Sequence, residues 1–198
     1  MNFLAHLLLA GPAEADRLGA LMGDFVKGPL PGTLPPDIAA GVRLHRSIDS
    51  FADAHPAFRR SRERMSQERR RYGGILVDMF YDHLLARHWP RFHPQPLNEF
   101  AQDAYALLRR HHALLPEKLA AIAPAMAAHD WLTSYAEIES LTTALTRMSK
   151  RLRRENSLAG GEVELAADYA GFELDCLEFL PEAMRFCASV CEEARQRN

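Results

Sequence analysis

Between Gly73 and Trp89 the chain reads GGILVDMFYDHLLARHW, and no other stretch limits its folding options as much. Ile75, Leu76, Met79, Phe80, Leu84 and Leu85 recur at helical spacing, which predicts one helix with an apolar face turned to a core. Asp78 and Asp82 interrupt that pattern four residues apart, so they share a face, and His83 adjoins Asp82. Two carboxylates stacked at the edge of an apolar face repel each other unless a proton or a cation sits between them. The stretch therefore reads as one wall of a metal site.

The remaining sequence is helical in the same way. Apolar residues at helical spacing predict segments over 3–10, 17–27, 37–54 and 57–72, then 97–115, 116–129, 131–135, 137–153 and 163–195. Gly11-Pro12, GPLPGTLPP at 28–36, the prolines at 90, 94 and 96 and SLAGG at 157–161 separate them. A kink is expected at Pro124. No β-branched residues alternate with polar ones as a strand requires. The expectation is an all-α bundle of seven to nine helices, with residues 1–198 forming one domain, a size that buries a sizeable core.

Composition narrows the function classes. A formal net charge of −2 does not suggest nucleic acid. Three cysteines, Cys176, Cys187 and Cys191, lie in no framework or zinc-ligand spacing and read as free thiols of a reducing compartment. The N-terminus lacks a basic start and carries His6 in its apolar run, which argues against a secretion signal. No run approaches the ~20 apolar residues of a membrane span. A cytoplasmic protein is expected.

Chemistry gathers in the first half. His6 is the only polar group in FLAHLLLA, and Asp24 is the only acid in GALMGDFVKG. His45 and Asp49 share a helix face, with Asp53 a turn further on. Each has an ordinary explanation: a satisfied core histidine, a buried acid paired with an arginine, a surface pair of small energy. Together with Asp78 and Asp82 they form a set in which every polar group needs a buried partner, and one shared cation serves them all. Carboxylates with a few imidazoles suit Mg²⁺ or Mn²⁺ better than zinc. No Glu-x-x-His of a di-iron bundle occurs, nor a phosphate loop or a nucleophile elbow.

A second feature is AFRRSRERMSQERRR, with Arg59, Arg60, Arg62 and Arg64 followed by Arg69 to Arg71, against Glu63 and Glu68 alone. Such a run is either a solvated face or a docking surface for an acidic partner. A smaller basic run over 147–154 either adds to that surface or caps a helix C-terminus.

Four blocks in order, MNFLAH at 1–6, GDFVKG at 23–28, HRSID at 45–49 and DMFYDHLLARHW at 78–89, resemble the bacterial acyl carrier protein phosphodiesterases. Beyond residue 90 the resemblance lies in helical character and the WL–Y segment at 131–135. It implies hydrolysis of the phosphodiester that joins 4′-phosphopantetheine to the serine of holo-acyl carrier protein, with Mn²⁺ or Mg²⁺. It also implies a distant relation to all-α HD-type phosphohydrolases, although the doublet here reads Asp82-His83, and no ligand transfers from those enzymes. On this reading Asp24, His45, Asp78 and Asp82 hold the metal. His6, Asp49, His83 and Arg46 are expected to be catalytic. His6 or His83 would protonate the leaving oxygen or hold the water, and Arg46 would clamp a phosphate oxygen. Acyl carrier proteins are acidic, so Arg59, Arg60, Arg62 and Arg64 would dock the substrate, with no nucleic acid and no membrane involved. A phosphohydrolase of small nucleotides and a non-catalytic module binding an acidic protein remain the other readings.

Overall fold

The computed structural model describes residues 2–152 and 154–196, and over them the chain forms eleven α-helices and no strand. The helix at the centre is α5, Gly73–Arg87. Leu76, Val77, Phe80, Tyr81, Leu84 and Leu85 are fully buried, and Met79, Asp82, His83 and Ala86 are buried on the other side, so the helix is enclosed nearly all round, not on one face as expected. A helix apolar on every side belongs inside a bundle. The helices α1 (Phe3–Leu9), α4 (Pro56–Glu63), α9 (Ile138–Arg151) and α11 (Tyr169–Gln196) cover it.

Beside them, α2 (Glu14–Met22) and α3 (Pro36–Ala54) lie in the closest contact in the fold. The cause is a pair of glycines. A Cβ on Gly19 would fall 2.6 Å from the Gly41 backbone, and one on Gly41 would fall 2.8 Å from the Ala15 carbonyl. Only bare backbone allows the two helices to come this near.

Further along, α6 (Leu97–Arg110), α7 (Glu117–Ala128) and the short α8 (Trp131–Ser134) follow. Pro124 lies within α7 without ending it. The buried Tyr105 hydroxyl accepts from Leu132 N at 2.8 Å and donates to Asp130 Oδ1 at 3.0 Å, which fixes the start of α8.

Two helix ends differ from the sequence reading. The helix expected over 57–72 stops at Glu63, because the Glu164 carboxylate takes Ser66 N at 2.8 Å and Ser66 Oγ at 2.6 Å. The segment expected over 163–195 divides into α10 (Glu162–Ala167) and α11 at Asp168. Asp168 Oδ1 accepts from Gly171 N and caps the new helix, while Oδ2 pairs with Arg64. Arg153 of the second basic run lies outside the described residues. All three cysteines are free thiols. No described helix is long and apolar enough to cross a membrane.

Gly41→Ala is expected to lower the unfolding free energy by about 1–3 kcal/mol, the usual cost of overpacking. Urea denaturation followed by circular dichroism measures it.

Candidate metal centre

Helix α3 places His45 and Asp49 one turn apart on the side that faces α1 and α2. The Ala20 carbonyl, 2.8 Å from His45 Nδ1, accepts that nitrogen's proton. This orients the ring and leaves Nε2 to face Asp49 Oδ2 at 3.3 Å and Asp24 Oδ1 at 3.5 Å. Gly23 makes room for the ring, because a Cβ there would lie 2.1 Å from it.

His6 comes from α1 and stacks on His45, with ring centroids 3.6 Å apart and planes within 12°. It is 1% exposed, and its Nε2 lies 3.2 Å from Asp49 Oδ1. Neither of its ring nitrogens has a well-aligned hydrogen-bond partner among the described residues. A buried imidazole whose contact to a carboxylate is poorly aligned is suited to serve as a ligand. The ligand-type atoms of His6, His45 and Asp49 all lie within 4.8 Å of one another.

Electrostatics separates the two rings. Burial pushes the His6 imidazole down to about 4, which keeps it neutral with a lone pair available. Burial also lowers His45, but Asp24 and Asp49 outweigh it and raise this imidazole to about 9. Burial raises the Asp49 carboxyl, and the imidazoles of His45 and His6 outweigh that in turn, holding it well below the usual carboxylate range. A proton on His45 thus occupies the place where the carboxylates call for positive charge. These side chains fit a divalent cation: one neutral imidazole, a second freed by losing that proton, and a carboxylate between them.

The cluster opens into an acidic recess of about 450 Å³, lined by Asp24, Asp49, Asp53 and Asp78. Desolvation raises the Asp78 carboxyl. Through Asn2, Met79 and Met148 the recess continues into a groove of about 830 Å³ walled by α7 and α9. Phe3, Phe25, Ile122 and Trp131 make that groove apolar, and Ser134, Ser140 and Thr143 add hydroxyls.

The family model described as acyl carrier protein phosphodiesterase matches residues 1–183. The chain belongs to the acyl carrier protein phosphodiesterase family. Proteins of that name from Pectobacterium atrosepticum and Serratia proteamaculans are 38% and 36% identical to it over 186 residues, covering 93% of this chain and 96% of each relative. One from Escherichia coli O157:H7 is 35% identical over 185 residues, with the same coverage. No solved structure matches the chain.

Several residues singled out within the family's blocks lie outside the cluster. Asp82, expected as a ligand, is fully buried and turns both carboxylate oxygens to the N-terminus of α1, accepting from Leu4 N and Ala5 N at 2.9 Å each. It caps a helix. Burial raises its carboxyl to about 7, against the two amides, which favour the anion. His83 is also drawn elsewhere: Nδ1 donates to the Tyr135 carbonyl at 2.8 Å and Nε2 lies 3.2 Å from the Tyr169 hydroxyl. Arg46 donates to the Val26 carbonyl at 3.0 Å and borders a separate depression with Ser50, Phe51 and Phe186.

Much of the arginine run is paired within the chain. Arg60 and Arg64 clasp the buried Asp175 through their Nε atoms at 2.9 and 3.0 Å, and Arg60 also reaches Glu178. Arg59 donates to the Asp53 carbonyl and Arg62 pairs with the Asp53 carboxylate at 3.2 Å. The groove residues of α7 and α9 went unread in the sequence, although WL–Y at 131–135 was a signal, since Trp131 and Tyr135 both line the groove.

Asp82→Ala is expected to cost about 2–3 kcal/mol of folding free energy, from the lost cap and two stranded buried amides. Denaturant titration checks it. A loss below about 0.5 kcal/mol would contradict the capping role.

Proposed function

We propose that this chain hydrolyses the phosphodiester of holo-acyl carrier protein, releasing 4′-phosphopantetheine and the apo form, with Mn²⁺ or Mg²⁺ held by His6, His45 and Asp49. The observation that carries the reading is the buried His6 ring stacked on His45 beside Asp49, with their ligand-type atoms within 4.8 Å of one another, next to an acidic recess that leads into an apolar groove. The relatives named acyl carrier protein phosphodiesterase support the substrate.

His6, His45 and Asp49 would hold a divalent cation, which when bound would supply polarisation of a phosphoryl oxygen and a lower pKa for water. His6 and His45 would offer neutral nitrogens and Asp49 the compensating charge. The Ala20 carbonyl keeps His45 Nδ1 protonated, which leaves Nε2 as the nitrogen able to ligate. Asp24 and Asp78, on the recess wall, orient the attacking water. Water attacks phosphorus, the bond from phosphorus to the serine oxygen breaks, and that oxygen leaves with a proton as the serine hydroxyl. The arm keeps the phosphate. Its uncharged remainder lies along the groove, against Phe25, Ile122 and Met148, with Ser140 and Thr143 near its amides. This assigns His6 to the metal instead of to proton transfer, adds Asp49 to the ligands, moves Asp24 and Asp78 from the ligands to the water, and leaves Asp82, His83 and Arg46 out of the chemistry.

Mass spectrometry of holo-carrier protein incubated with this protein and Mn²⁺ is expected to show loss of the arm's mass. Asp49→Asn is expected to slow that loss by about 100-fold or more while the fold is retained. An intact carrier alongside phosphate release from a nucleotide panel would overturn the proposal.

A further inference from the structure

In the first basic run Arg60, Arg62, Arg64 and Arg69 pair with acids of the chain itself, whereas among the described residues cations of the second basic run and of α7 do not. Lys118 on α7 and Arg147 and Arg151 on α9 line the groove. All three are exposed, and none forms an ion pair among the described residues. Arg147 and Arg151 are one helical turn apart and share a face. Met148, beside Arg147, belongs to both the groove and the acidic recess, so this basic edge borders the passage to the cluster.

The proposed arm gives these cations little to bind. Beyond its phosphate the arm carries amides, a hydroxyl and a thiol, all uncharged, and the apolar walls and hydroxyls of the groove already suit it. Glu139 is the acid among the groove residues beyond Asp24, and no ion pair joins it to the three cations. The unmatched positive charge calls for anions on another part of the substrate. In a carrier protein those are surface carboxylates around the modified serine, which must approach the recess for its phosphodiester to reach the cluster.

We infer that Lys118, Arg147 and Arg151 form the docking edge for the acidic face of the carrier protein, in place of the α4 arginines. The inference rests on the carrier-protein hydrolase reading above. Exposed charges at the rim of an interface act mainly on encounter and orientation, so their effect falls on KM and weakens with salt.

The test compares the wild type with Arg147→Glu/Arg151→Glu and with Lys118→Glu. Each is assayed with Mn²⁺ on holo-carrier protein and on bis(p-nitrophenyl) phosphate, a diester with no protein part. The double reversal is expected to raise KM for the carrier about tenfold or more at low salt, to leave kcat within about twofold, and to leave the small diester unaffected. Lys118→Glu is expected to shift KM in the same direction, and Arg147→Lys/Arg151→Lys to restore it. An unchanged KM would overturn the docking edge while the hydrolase reading stands. An equal loss on both substrates would overturn it too, by assigning the cations to the phosphate. A wild type that releases no arm from the carrier would overturn the hydrolase reading, and the docking edge with it.

Discussion

A carboxylate in the middle of an all-round apolar helix must find donors, and Asp82 finds them in the backbone of α1. The first amides of a helix have no partners within it, so one buried acid satisfies two of them and fixes where the helix starts. Because α1 is only two turns long, fixing its first turn also fixes the direction of His6. The ring is thereby held against His45, sheltered from water and neutral. The chemistry proposed for the cluster depends on this contact, although Asp82 takes no part in it.

The second half of the cluster depends on backbone contact between α2 and α3. Gly19 and Gly41 let the helices approach until the Ala20 carbonyl reaches the His45 ring, and Gly23 leaves space for that ring. The result is a graded site. Its inner part is two stacked imidazoles with one carboxylate, its middle an acidic recess, and its outer part an apolar groove with basic side chains along the edge. On the proposed reading the inner part would take the cation, the recess acids would orient water beside it, the groove would take the neutral arm and the basic edge the acidic protein.

Helical periodicity made most of the bundle legible in the sequence, because each helix must turn apolar residues inward whatever its neighbours are. The ends at Glu63 and Asp168 were not legible, since they are set by Glu164 reaching Ser66 and by Asp168 pairing with Arg64, partners far apart in the chain. The same distinction runs through the site. His6, Asp24, His45 and Asp49 stood out as polar groups in apolar surroundings, and the fold brings them together. Asp82 and His83 stood out for the same reason, but their partners are backbone groups of α1 and of Tyr135, which leave no mark in the sequence. The arginines of α4 looked free because Asp175 and Glu178 lie more than a hundred residues away. Among the described residues eleven α-helices form where seven to nine were expected, in part because α10, held by Glu164 bonding Ser66, is separate from α11.

The central claim is that His6, His45 and Asp49 converge on one cation. Crystals grown or soaked with Mn²⁺ and measured for anomalous scattering test it most directly. The account predicts a manganese peak bonded to the Nε2 of His45, a ring nitrogen of His6 and a carboxylate oxygen of Asp49. A peak at Asp82 and His83, or an empty cluster in a protein that hydrolyses its substrate with manganese, would contradict it.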